Sequence, residues 1–518
     1  MKSDCYGKLG SIKELPGFPH IQNEPKQTDI IWKYEMEEGN IMQLFYTPDH
    51  ARVGDVIPFF ENGQFKLFYL KNWNPYFGSD KTYGWHLLTT TDLVHYESEE
   101  PAGIQGGTGC VIKVDGIYHL YYCVFENNPQ RQFVCHATSN DMKEWTKHED
   151  ETFGPDEKIY FLTDWRDPHV FWNEEEKCWW MILCAQSQGK TKRRGCVGLC
   201  KSEDLHHWTC CEPLYNPESS MSAYECPDLF YMNGWWYLVF SQFTDRFQTL
   251  YRMSKSLNGP WIRPKIDSFD GRAFYAAKTC SDGEHRYIFG WNPTRTQNTW
   301  RFDPDPNHEG YDYKTYDWGG SLIPHEIYQK EDGTLAVRSV PALKKVLTVP
   351  NQIIWHPLNG DWKLEENSVS VSSPVAYASM ISENDVPYQG RLSLDFTFRE
   401  GTERFAVVLQ VDEEFARGYY FYFEPKRARM EYKSALRMYE QGGWTFQYDV
   451  ELERPIELLP DKKYSMEIFI DESILEVYVN EEIALSVRAY DLHNRKLGLA
   501  VSDGMVSFEN IKLMTVGV

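Results

Sequence analysis

The sequence lacks both a long apolar run and an excess of positive charge. No stretch approaches the roughly 18 consecutive apolar residues that a membrane-spanning helix needs. The formal net charge is −23, which would repel a phosphate backbone or an anionic lipid surface. The basic cluster from Lys190 to Arg194 falls between two strand-like runs and predicts a solvated hairpin tip. We therefore expect neither nucleic acid nor a membrane among the partners.

Signals for metal, phosphate and serine-nucleophile chemistry are also missing. The sequence has no Gly-rich phosphate loop and no Gly-x-Ser-x-Gly elbow. The 12 cysteines have no metal-ligand spacing. The same holds for six of the histidines, namely His86, His95, His119, His169, His206 and His207. We therefore expect no metal and no organic cofactor.

A secretory leader is not apparent either. The stretch from Met1 to Tyr6 has no apolar core of signal-peptide length. Cys123, Cys184 and Cys200 lie in apolar, strand-like segments, where a reduced thiol packs as a small hydrophobe. These features favour a reducing compartment, and we expect a cytoplasmic protein.

What the sequence does have is a repeat of β-rich units. Strand pairs follow Gly or Asn turns, as in Gly116–Tyr122 and Gly234–Phe240, and convincing amphipathic helices are missing from this half of the chain. The innermost strands are expected to begin near Asp55, Thr108, Asp167, Glu225 and Tyr275, at intervals of 53, 59, 58 and 50 residues. Repeats of about 50 residues are typical of propeller blades. The pattern predicts a five-bladed β-propeller over residues 1–340.

The remaining residues have a different pattern. With 518 residues, the chain is long enough for two or more domains. Prolines mark a connection over residues 341–355. Beyond it, strands such as Arg391–Phe398 and Tyr464–Ile470 alternate polar and apolar residues. We therefore expect an all-β protein, with a C-terminal β-sandwich over residues 356–518 after the propeller.

Three acidic motifs stand at the starts of expected inner strands. Asp55, Asp167 and Glu225 each precede an apolar run, with a proline close behind. The repeat predicts that they occupy equivalent positions and point to one axis, and Pro168 favours an extended backbone at Asp167. One such Asp alone is usually a turn former, but three in phase are not explained that way. Three acids in one pocket suit glycosidic cleavage, in which one carboxylate attacks and a protonated acid stands roughly 5–5.5 Å away.

The motifs resemble those of glycoside hydrolase family 32, the fructosidase and invertase group. Trp165-Arg166-Asp167-Pro168 resembles the family's Arg-Asp-Pro motif, and Tyr224-Glu225-Cys226-Pro227 resembles its Glu-Cys motif. The resemblance covers nearly the whole chain. It implies that Asp55 is the nucleophile, Glu225 the general acid/base, and Asp167 a stabiliser of fructosyl hydroxyls with Arg166 beside it.

The resemblance also concerns the walls of the sugar pocket. It implies that Trp85 and Thr108 line this pocket. The first motif departs from the family pattern, because Gly54 replaces the usual Asn before the catalytic Asp. The usual Gln after the next strand is replaced by Leu70. Two polar contacts to the sugar are therefore expected to be missing.

Several functions stay open from the sequence. The first is a hydrolase of terminal β-fructofuranosyl linkages in small fructosides or oligosaccharides. The second is a fructosyltransferase, or a hydrolase of an unusual fructoside such as a difructose anhydride. An arabinosidase- or xylosidase-like propeller and a non-catalytic sugar-binding protein are the others. The oligomeric state stays open, with a homodimer among the alternatives.

Overall fold

The computed structural model describes residues 42–73, 84–127, 130–297, 310–312, 314–434 and 451–517. Apart from Met42, these residues belong to one compact unit that runs from Gln43 to Val518. The regular elements of its described part are β-strands, one short α-helix and a 3-10 helix at Pro425–Arg427, so the expected all-β class is confirmed. Among the described residues, no helix combines the length and the apolar character that crossing a membrane requires.

The first four strands form an antiparallel meander. They are β1 (Ala51–Glu61), β2 (Gln64–Trp73), β3 (Gly84–Thr90) and β4 (Tyr96–Pro101). The second sheet consists of β5 (Gly109–Val114), β6 (Ile117–Asn127), β7 (Gln130–Ser139) and β8 (Thr146–Phe153). The third consists of β9 (Arg166–Asn173), β10 (Cys178–Gln186), β11 (Gly195–Ser202) and β12 (Thr209–Tyr215).

The fourth sheet has three strands, β13 (Tyr224–Met232), β14 (Trp235–Gln242) and β15 (Gln248–Ser254). Four more strands follow, namely β16 (Tyr275–Ser281), β17 (Arg286–Gln297), β18 (Thr315–Gln329) and β19 (Leu335–Ser339). Strand β18 pairs with β1 at Val53 and Gly320, which joins these strands to the first meander in one eight-stranded sheet. This first sheet therefore combines the beginning and the end of the N-terminal region.

Apolar side chains fill the space between successive sheets. Phe68 and Leu120 belong to the cluster between the first and second sheets. Trp165 belongs to the cluster between the second and third, and Trp180 and Phe240 to that between the third and fourth. Large aromatic rings bury much apolar area per residue, and part of the aromatic content of 15% serves this packing.

The C-terminal strands form one thirteen-stranded sheet. Helix α1 (Pro341–Val346) leads into β20 (Leu347–Asn351), β21 (Trp355–Asn359), β22 (Trp362–Leu364), β23 (Ser368–Asp385), β24 (Gln389–Phe398), β25 (Arg404–Val411) and β26 (Tyr419–Glu424). The rest are β27 (Arg429–Ser434), β28 (Leu452–Pro455), β29 (Tyr464–Asp471), β30 (Ile474–Val479), β31 (Ile483–Arg488) and β32 (Lys496–Val516). The first half of β32 pairs with β25 and its second half pairs with β24, so this long strand links the two parts of the sheet.

The segment expected to be a connection has structure of its own. Helix α1 occupies its beginning, and β20 pairs with β32 at the end of the chain. Buried polar groups then join the C-terminal sheet to the N-terminal region. Asp270 accepts hydrogen bonds from the main chain and the hydroxyl of Ser486, and Arg454 donates to the main chain of Ser268.

Candidate active site

The strands that carry the candidate acids share one irregularity near their beginnings. Each contains a β-bulge, in which three residue steps lie opposite two residue steps on the neighbouring strand. This holds for strands β1, β9, β13 and β16. These bulges run from Val53 to Val56, Arg166 to His169, Glu225 to Asp228 and Tyr275 to Lys278. A β-bulge bends its strand and turns side chains toward a new direction, which is why bulges are common beside functional sites.

Each acid lies in the bulge of its own strand, and the register places the three acids at three different positions of that bulge. Glu225 has the first position, as Arg166 does, and Asp167 has the second, as Cys226 does. Asp55 has the third. The expectation of equivalent positions was therefore wrong. The one-residue offset lets neighbouring strands interlock, because Arg166 reaches Glu225 while the Cys226 main chain reaches Asp167.

The second bulge position has a left-handed backbone. The φ angle is 55° at Asp167, 49° at Cys226 and 53° at Ala276. The expectation that Pro168 keeps Asp167 extended was therefore wrong, since the bulge overrides the local preference. Such conformations cost of order 1–3 kcal/mol in non-glycine residues and persist where surrounding contacts enforce them. Here the hydrogen bond from the Cys226 main chain to Asp167 is one of these contacts.

Asp55 is held by donors on both carboxyl oxygens. Thr108 Oγ1 donates to Oδ2 at 2.7 Å, and Trp291 Nε1 donates to Oδ1 at 3.0 Å. The Cys226 thiol lies 3.6 Å from Oδ2. Burial raises the pKa of Asp55, while the hydrogen bonds from Thr108 and Trp291 oppose this rise. The carboxyl group is thereby fixed in direction in the cavity wall.

Glu225 has a different environment. Tyr275 donates its hydroxyl proton to Oε2 at 2.6 Å, and Arg166 Nη2 donates to Oε1 at 2.7 Å. Burial raises the pKa of Glu225 above its ordinary value, against the opposing effects of Arg166 and Tyr275. A carboxyl group with a raised pKa can hold a proton near neutral pH and give it to a leaving group.

Asp167 is the most buried of the three acids, with 4% of its surface exposed. It accepts a hydrogen bond from the Cys226 main-chain N–H at 3.0 Å, and Arg166 Nε lies 3.8 Å from Oδ2. Burial raises the pKa of Asp167, and the Arg166 charge opposes that rise. A buried carboxylate with one oxygen engaged keeps further lone pairs for hydroxyl donors.

Arg166 connects the acids to one another. Besides contacting Glu225 and Asp167, it donates to Asp164, whose other oxygen accepts from Gln186. Asp164 therefore does more than form a turn, because it fixes the guanidinium in one orientation. A planar guanidinium with several fixed donors suits this task better than an ammonium group does.

These groups surround one cavity of about 550 Å³. The catalytic candidates Asp55, Asp167, Glu225 and Arg166 lie in its wall together with Thr108. Aromatic rings form much of the rest, namely Phe125, Phe243, Phe247, Tyr275, Trp291, Tyr316 and Trp318. The cavity has the size of a small-molecule site, and its aromatic wall suits the apolar faces of sugar rings.

A tryptophan ring fills the space beside Gly54 in the altered first motif. A Cβ atom on Gly54 would lie 2.2 Å from Trp318 Cη2 and 2.8 Å from the carbonyl oxygen of Leu70. The space that a side chain at position 54 would need is therefore filled by the Trp318 ring. Leu70 is buried in the same wall. Where the family pattern leads one to expect two polar groups, this cavity has an apolar surface.

Five of the six site residues expected from the sequence lie in the cavity wall, and Trp85 is the exception. Trp85 lies behind the cavity, with 1% of its surface exposed, and its indole N–H donates to the Gly107 carbonyl at 3.0 Å. The expectation that Trp85 lines the pocket is thus corrected, because Trp85 supports the segment before Thr108 instead. The side chains of Trp291 and Trp318 were missed, since no motif marks their approach from strands β17 and β18.

Three carboxyl groups around one sugar-sized cavity with aromatic walls define a site of the glycoside hydrolase type. The family model "Glycosyl hydrolases family 32 N-terminal domain" matches residues 57–312, and "Glycosyl hydrolases family 32 C terminal" matches residues 365–515. The chain therefore belongs to glycosyl hydrolase family 32. The first match begins after Asp55, in agreement with the altered motif around that residue.

Curated relatives and solved structures resemble the chain over most of its length. Sucrose-6-phosphate hydrolase of Escherichia coli is 23% identical, over 84% of this chain and 86% of that protein. Raffinose invertase of Escherichia coli is 26% identical, over 81% and 83%. The structure of sucrose-6-phosphate hydrolase from Lactobacillus gasseri has a TM-score of 0.67 at 17% identity, covering 92% of this chain and 93% of that one. Exo-inulinase from Aspergillus awamori has a TM-score of 0.64 at 16% identity, over 92% and 98%.

Proposed function

We propose that this chain hydrolyses terminal β-fructofuranosyl linkages of small fructosides with retention of configuration, by double displacement. The observation that carries the proposal is the convergence of Asp55, Asp167 and Glu225, from three different strands, on one cavity. Family membership supports the reaction class, and the names of the relatives, an invertase and sucrose-6-phosphate hydrolases, support a fructoside substrate.

In the first step, Asp55 is the nucleophile. An Asp55 oxygen forms a bond to the anomeric carbon of the fructosyl ring while the glycosidic C–O bond breaks. Glu225 gives its proton to the departing oxygen, so the leaving group departs as a neutral alcohol. The hydrogen bonds from Thr108 and Trp291 hold the attacking carboxylate in place.

In the second step, the fructosyl ester on Asp55 is hydrolysed. Glu225, now ionised, takes a proton from a water molecule, and that water's oxygen bonds to the anomeric carbon as the ester C–O bond breaks. The Glu225 proton and the Asp55 carboxylate are thereby restored. Arg166, 2.7 Å from Glu225 Oε1, stabilises the ionised state between the two steps.

Asp167 is proposed to hold the sugar rather than to react with it. Its buried carboxylate is engaged by the Cys226 N–H and faces Arg166. A carboxylate accepts two hydrogen bonds from neighbouring hydroxyls and can fix the ring as positive charge develops at the anomeric centre. We propose no metal or organic cofactor in either step.

The proposed architecture is a five-bladed propeller over residues 1–340, a connection over 341–355 and a β-sandwich over 356–518. The recurrence of a bulged inner strand in β1, β9, β13 and β16, with β5 between the first two, supports five blades. Strand β20 favours a sandwich that begins slightly earlier, because it pairs with β32. The free, buried thiols of Cys123, Cys184 and Cys200 support a cytoplasmic location.

The apolar wall favours a second candidate substrate. With Trp318 and Leu70 in place of two expected polar contacts, the cavity offers fewer hydrogen bonds to the hydroxyls of an ordinary terminal fructose. A fructoside with fewer free hydroxyls, such as a difructose anhydride, would lose less there. Relative kcat/KM values distinguish an ordinary terminal fructoside from an unusual one as the preferred substrate. The panel consists of sucrose, its 6-phosphate, kestose, levan and inulin oligomers, and difructose anhydrides.

The test of the residue roles uses Asp55→Asn and Glu225→Gln. We expect both variants to fold and to lose at least about 100-fold in kcat on the best substrate of the panel, because each removes a group that acts in the transition state. Glu176→Gln is the matched control, because this acid lies in the turn between β9 and β10 and pairs with Lys201 outside the cavity. Near wild-type turnover of either acid variant would overturn the assignment.

A further inference from the structure

A cluster of four histidines and one glutamate lies outside the catalytic cavity. His119 belongs to β6 and His136 to β7, while His148 and Glu151 belong to β8. His206 comes from the turn between β11 and β12, in the next sheet. The hydrolytic mechanism uses none of these side chains. Fructoside hydrolysis therefore does not explain why these five side chains lie together.

Three imidazoles direct the same ring atom at one carboxylate. His136 Nδ1 lies 2.5 Å from Glu151 Oε2, and His206 Nδ1 lies 2.8 Å from Glu151 Oε1. His148 Nδ1 is 3.8 Å from the same Oε1. One imidazole beside a carboxylate is an ordinary hydrogen-bonded pair. Three Nδ1 atoms around a single carboxylate are more than such a pair requires.

The distances suit a shared ion. The donor atoms of His136, Glu151 and His206 lie within 4.8 Å of one another. A zinc ion binds imidazole nitrogen and carboxylate oxygen at about 2.0–2.2 Å, which places tetrahedral ligands about 3.3 Å apart. Small side-chain rotations therefore close the set around an ion. His148 Nδ1, 3.8 Å from Glu151 Oε1, is a further donor beside this set.

The far nitrogens of two rings have outer partners. His136 Nε2 is 3.0 Å from His119 Nδ1, and His148 Nε2 is 2.9 Å from Thr138 Oγ1. Metal-binding histidines generally use their second nitrogen in this way, because the outer hydrogen bond fixes the orientation and tautomer of the ring. His119 and Thr138 thus leave the Nδ1 atoms to face Glu151.

A second acid and histidine group provides a contrast. The donor atoms of Asp270, His325 and Glu476 also lie close together, but all three residues are buried. His325 bonds Tyr478 and Asp270 with its two nitrogens, and Ser486 bonds both carboxyl groups. Hydrogen bonds within the group and to Tyr478 and Ser486 engage most of its polar atoms, and Glu476 Oε1 is the exception. In the histidine cluster, the side chains of His148 and His206 are 27% and 39% exposed, which gives an ion a path from solvent.

We propose that His136, His206 and Glu151, with His148 as the fourth donor, form a binding site for a divalent transition metal, with zinc as the fitting ion. Imidazole-rich sets favour zinc and its neighbours, whereas calcium and magnesium prefer oxygen ligands alone. A bound ion would tie β8 to the turn between β11 and β12. The site is therefore structural and independent of fructoside hydrolysis.

The experiment is a zinc titration of protein that has been treated with chelator and then freed of it. Isothermal titration calorimetry is compared for the wild type, His136→Gln, His206→Gln and His207→Gln. His207 is the matched control, because it neighbours His206 in the same turn but pairs with Asp204 and is 88% exposed. We expect one zinc per chain in the wild type and in His207→Gln, and affinity at least about tenfold weaker in the other two.

Two further readouts complete the test. Zinc should raise the thermal unfolding midpoint of the wild type and of His207→Gln but not of His206→Gln, because an ion that binds only the folded state stabilises it. Cobalt should give visible absorption typical of four-coordinate nitrogen and oxygen ligands. Circular dichroism checks folding, and His206→Gln is the safer variant because His206 is partly exposed. No saturable zinc binding by the wild type, or binding that survives both cluster variants, would overturn the proposal.

Discussion

Tyr275 and Arg166 both donate hydrogen bonds to Glu225, and Tyr275 is the uncharged donor of the two. Its hydroxyl donates to Glu225 Oε2 and stabilises the ionised carboxylate, so it lowers the pKa of that group. In Tyr275→Phe this effect is lost, and the pKa of Glu225 rises further. The acid must be protonated for the first step, so activity falls as the pH rises through its pKa. We therefore expect the alkaline limb of the kcat/KM profile to move to higher pH.

The pH profile of kcat/KM on one fructoside measures this shift, because it reports the groups of the free enzyme. The phenylalanine keeps the ring, which stacks on Phe247 with centroids 4.3 Å apart, so packing is preserved. An alkaline limb that stays in place, or moves to lower pH, would show that Glu225 is not the acid.

Gly54 gives a second prediction at the scale of single residues. In Gly54→Ala, the new methyl group meets the Trp318 ring at 2.2 Å, and we expect a loss of about 1–3 kcal/mol in the free energy of unfolding. Adding Trp318→Ala should remove the clash with the ring but leave the 2.8 Å contact with the Leu70 carbonyl oxygen. The double variant should therefore unfold at a higher temperature than the sum of the two single changes predicts.

Thermal unfolding of the four proteins in this cycle gives the answer. Gly189→Ala is the control, because a Cβ there meets nothing within 4 Å. If Gly54→Ala unfolds at the wild-type temperature, or the two changes simply add, Trp318 does not occupy the space that the first motif leaves.

At the scale of elements, the contact between the N-terminal region and β30 and β31 depends on Asp270. Burial disfavours its charge, but the hydrogen bond and charge interaction with His325 outweigh this effect and lower the pKa of Asp270 below its ordinary value. Burial raises the pKa of Glu476. The single hydroxyl proton of Ser486 cannot serve both carboxyl groups, so we expect Glu476 to carry the proton for its contact with Ser486. We expect Asp270→Asn to cost about 3–5 kcal/mol, whereas Glu476→Gln, a neutral replacement for a neutral acid, costs little.

Thermal unfolding as a function of pH measures both effects. The folded pKa of Asp270 lies below the unfolded one, so its contribution is present above the unfolded value of 3.8 and is lost as the pH falls through the folded pKa. Asp270→Asn should abolish this part of the acid dependence. Equal destabilisation by both substitutions would contradict the assignment of charge.

The strands themselves were largely predictable from the sequence. The β-rich segment Gly234–Phe240 predicts a strand, and β14 covers Trp235–Gln242. The starts predicted at Asp167, Glu225 and Tyr275 fall within a residue of the first residues of β9, β13 and β16. Period-2 alternation and turn residues specify such elements locally.

The offset between the acids was not predictable in the same way. A bulge inserts one residue into a strand, and alternation alone does not reveal which residue is extra. Asp167 and Glu225 therefore appeared equivalent in the repeat, although the ladder places them one position apart. Trp318 escaped notice for a related reason, since its strand reaches Gly54 from the far end of the N-terminal region.

At the scale of the whole molecule, the site depends on the closure of the first sheet. Strand β1 brings Asp55 from the beginning of the described chain, and β17 and β18 bring Trp291 and Trp318 from the end of the N-terminal region. The pairing of Val53 with Gly320 joins them. The cavity that Asp55 and Glu225 share is therefore built from both ends of the N-terminal region.

The most direct test of the central claim is the identification of the residue that carries the sugar. In Glu225→Gln, an activated fructosyl fluoride needs no proton for its leaving group, while the second step lacks its base. Mass spectrometry of the protein and of its peptides after rapid quenching should find one fructosyl group, linked to Asp55. An adduct on another residue, or no adduct while Asp55→Asn still turns the fluoride over, would contradict double displacement at Asp55.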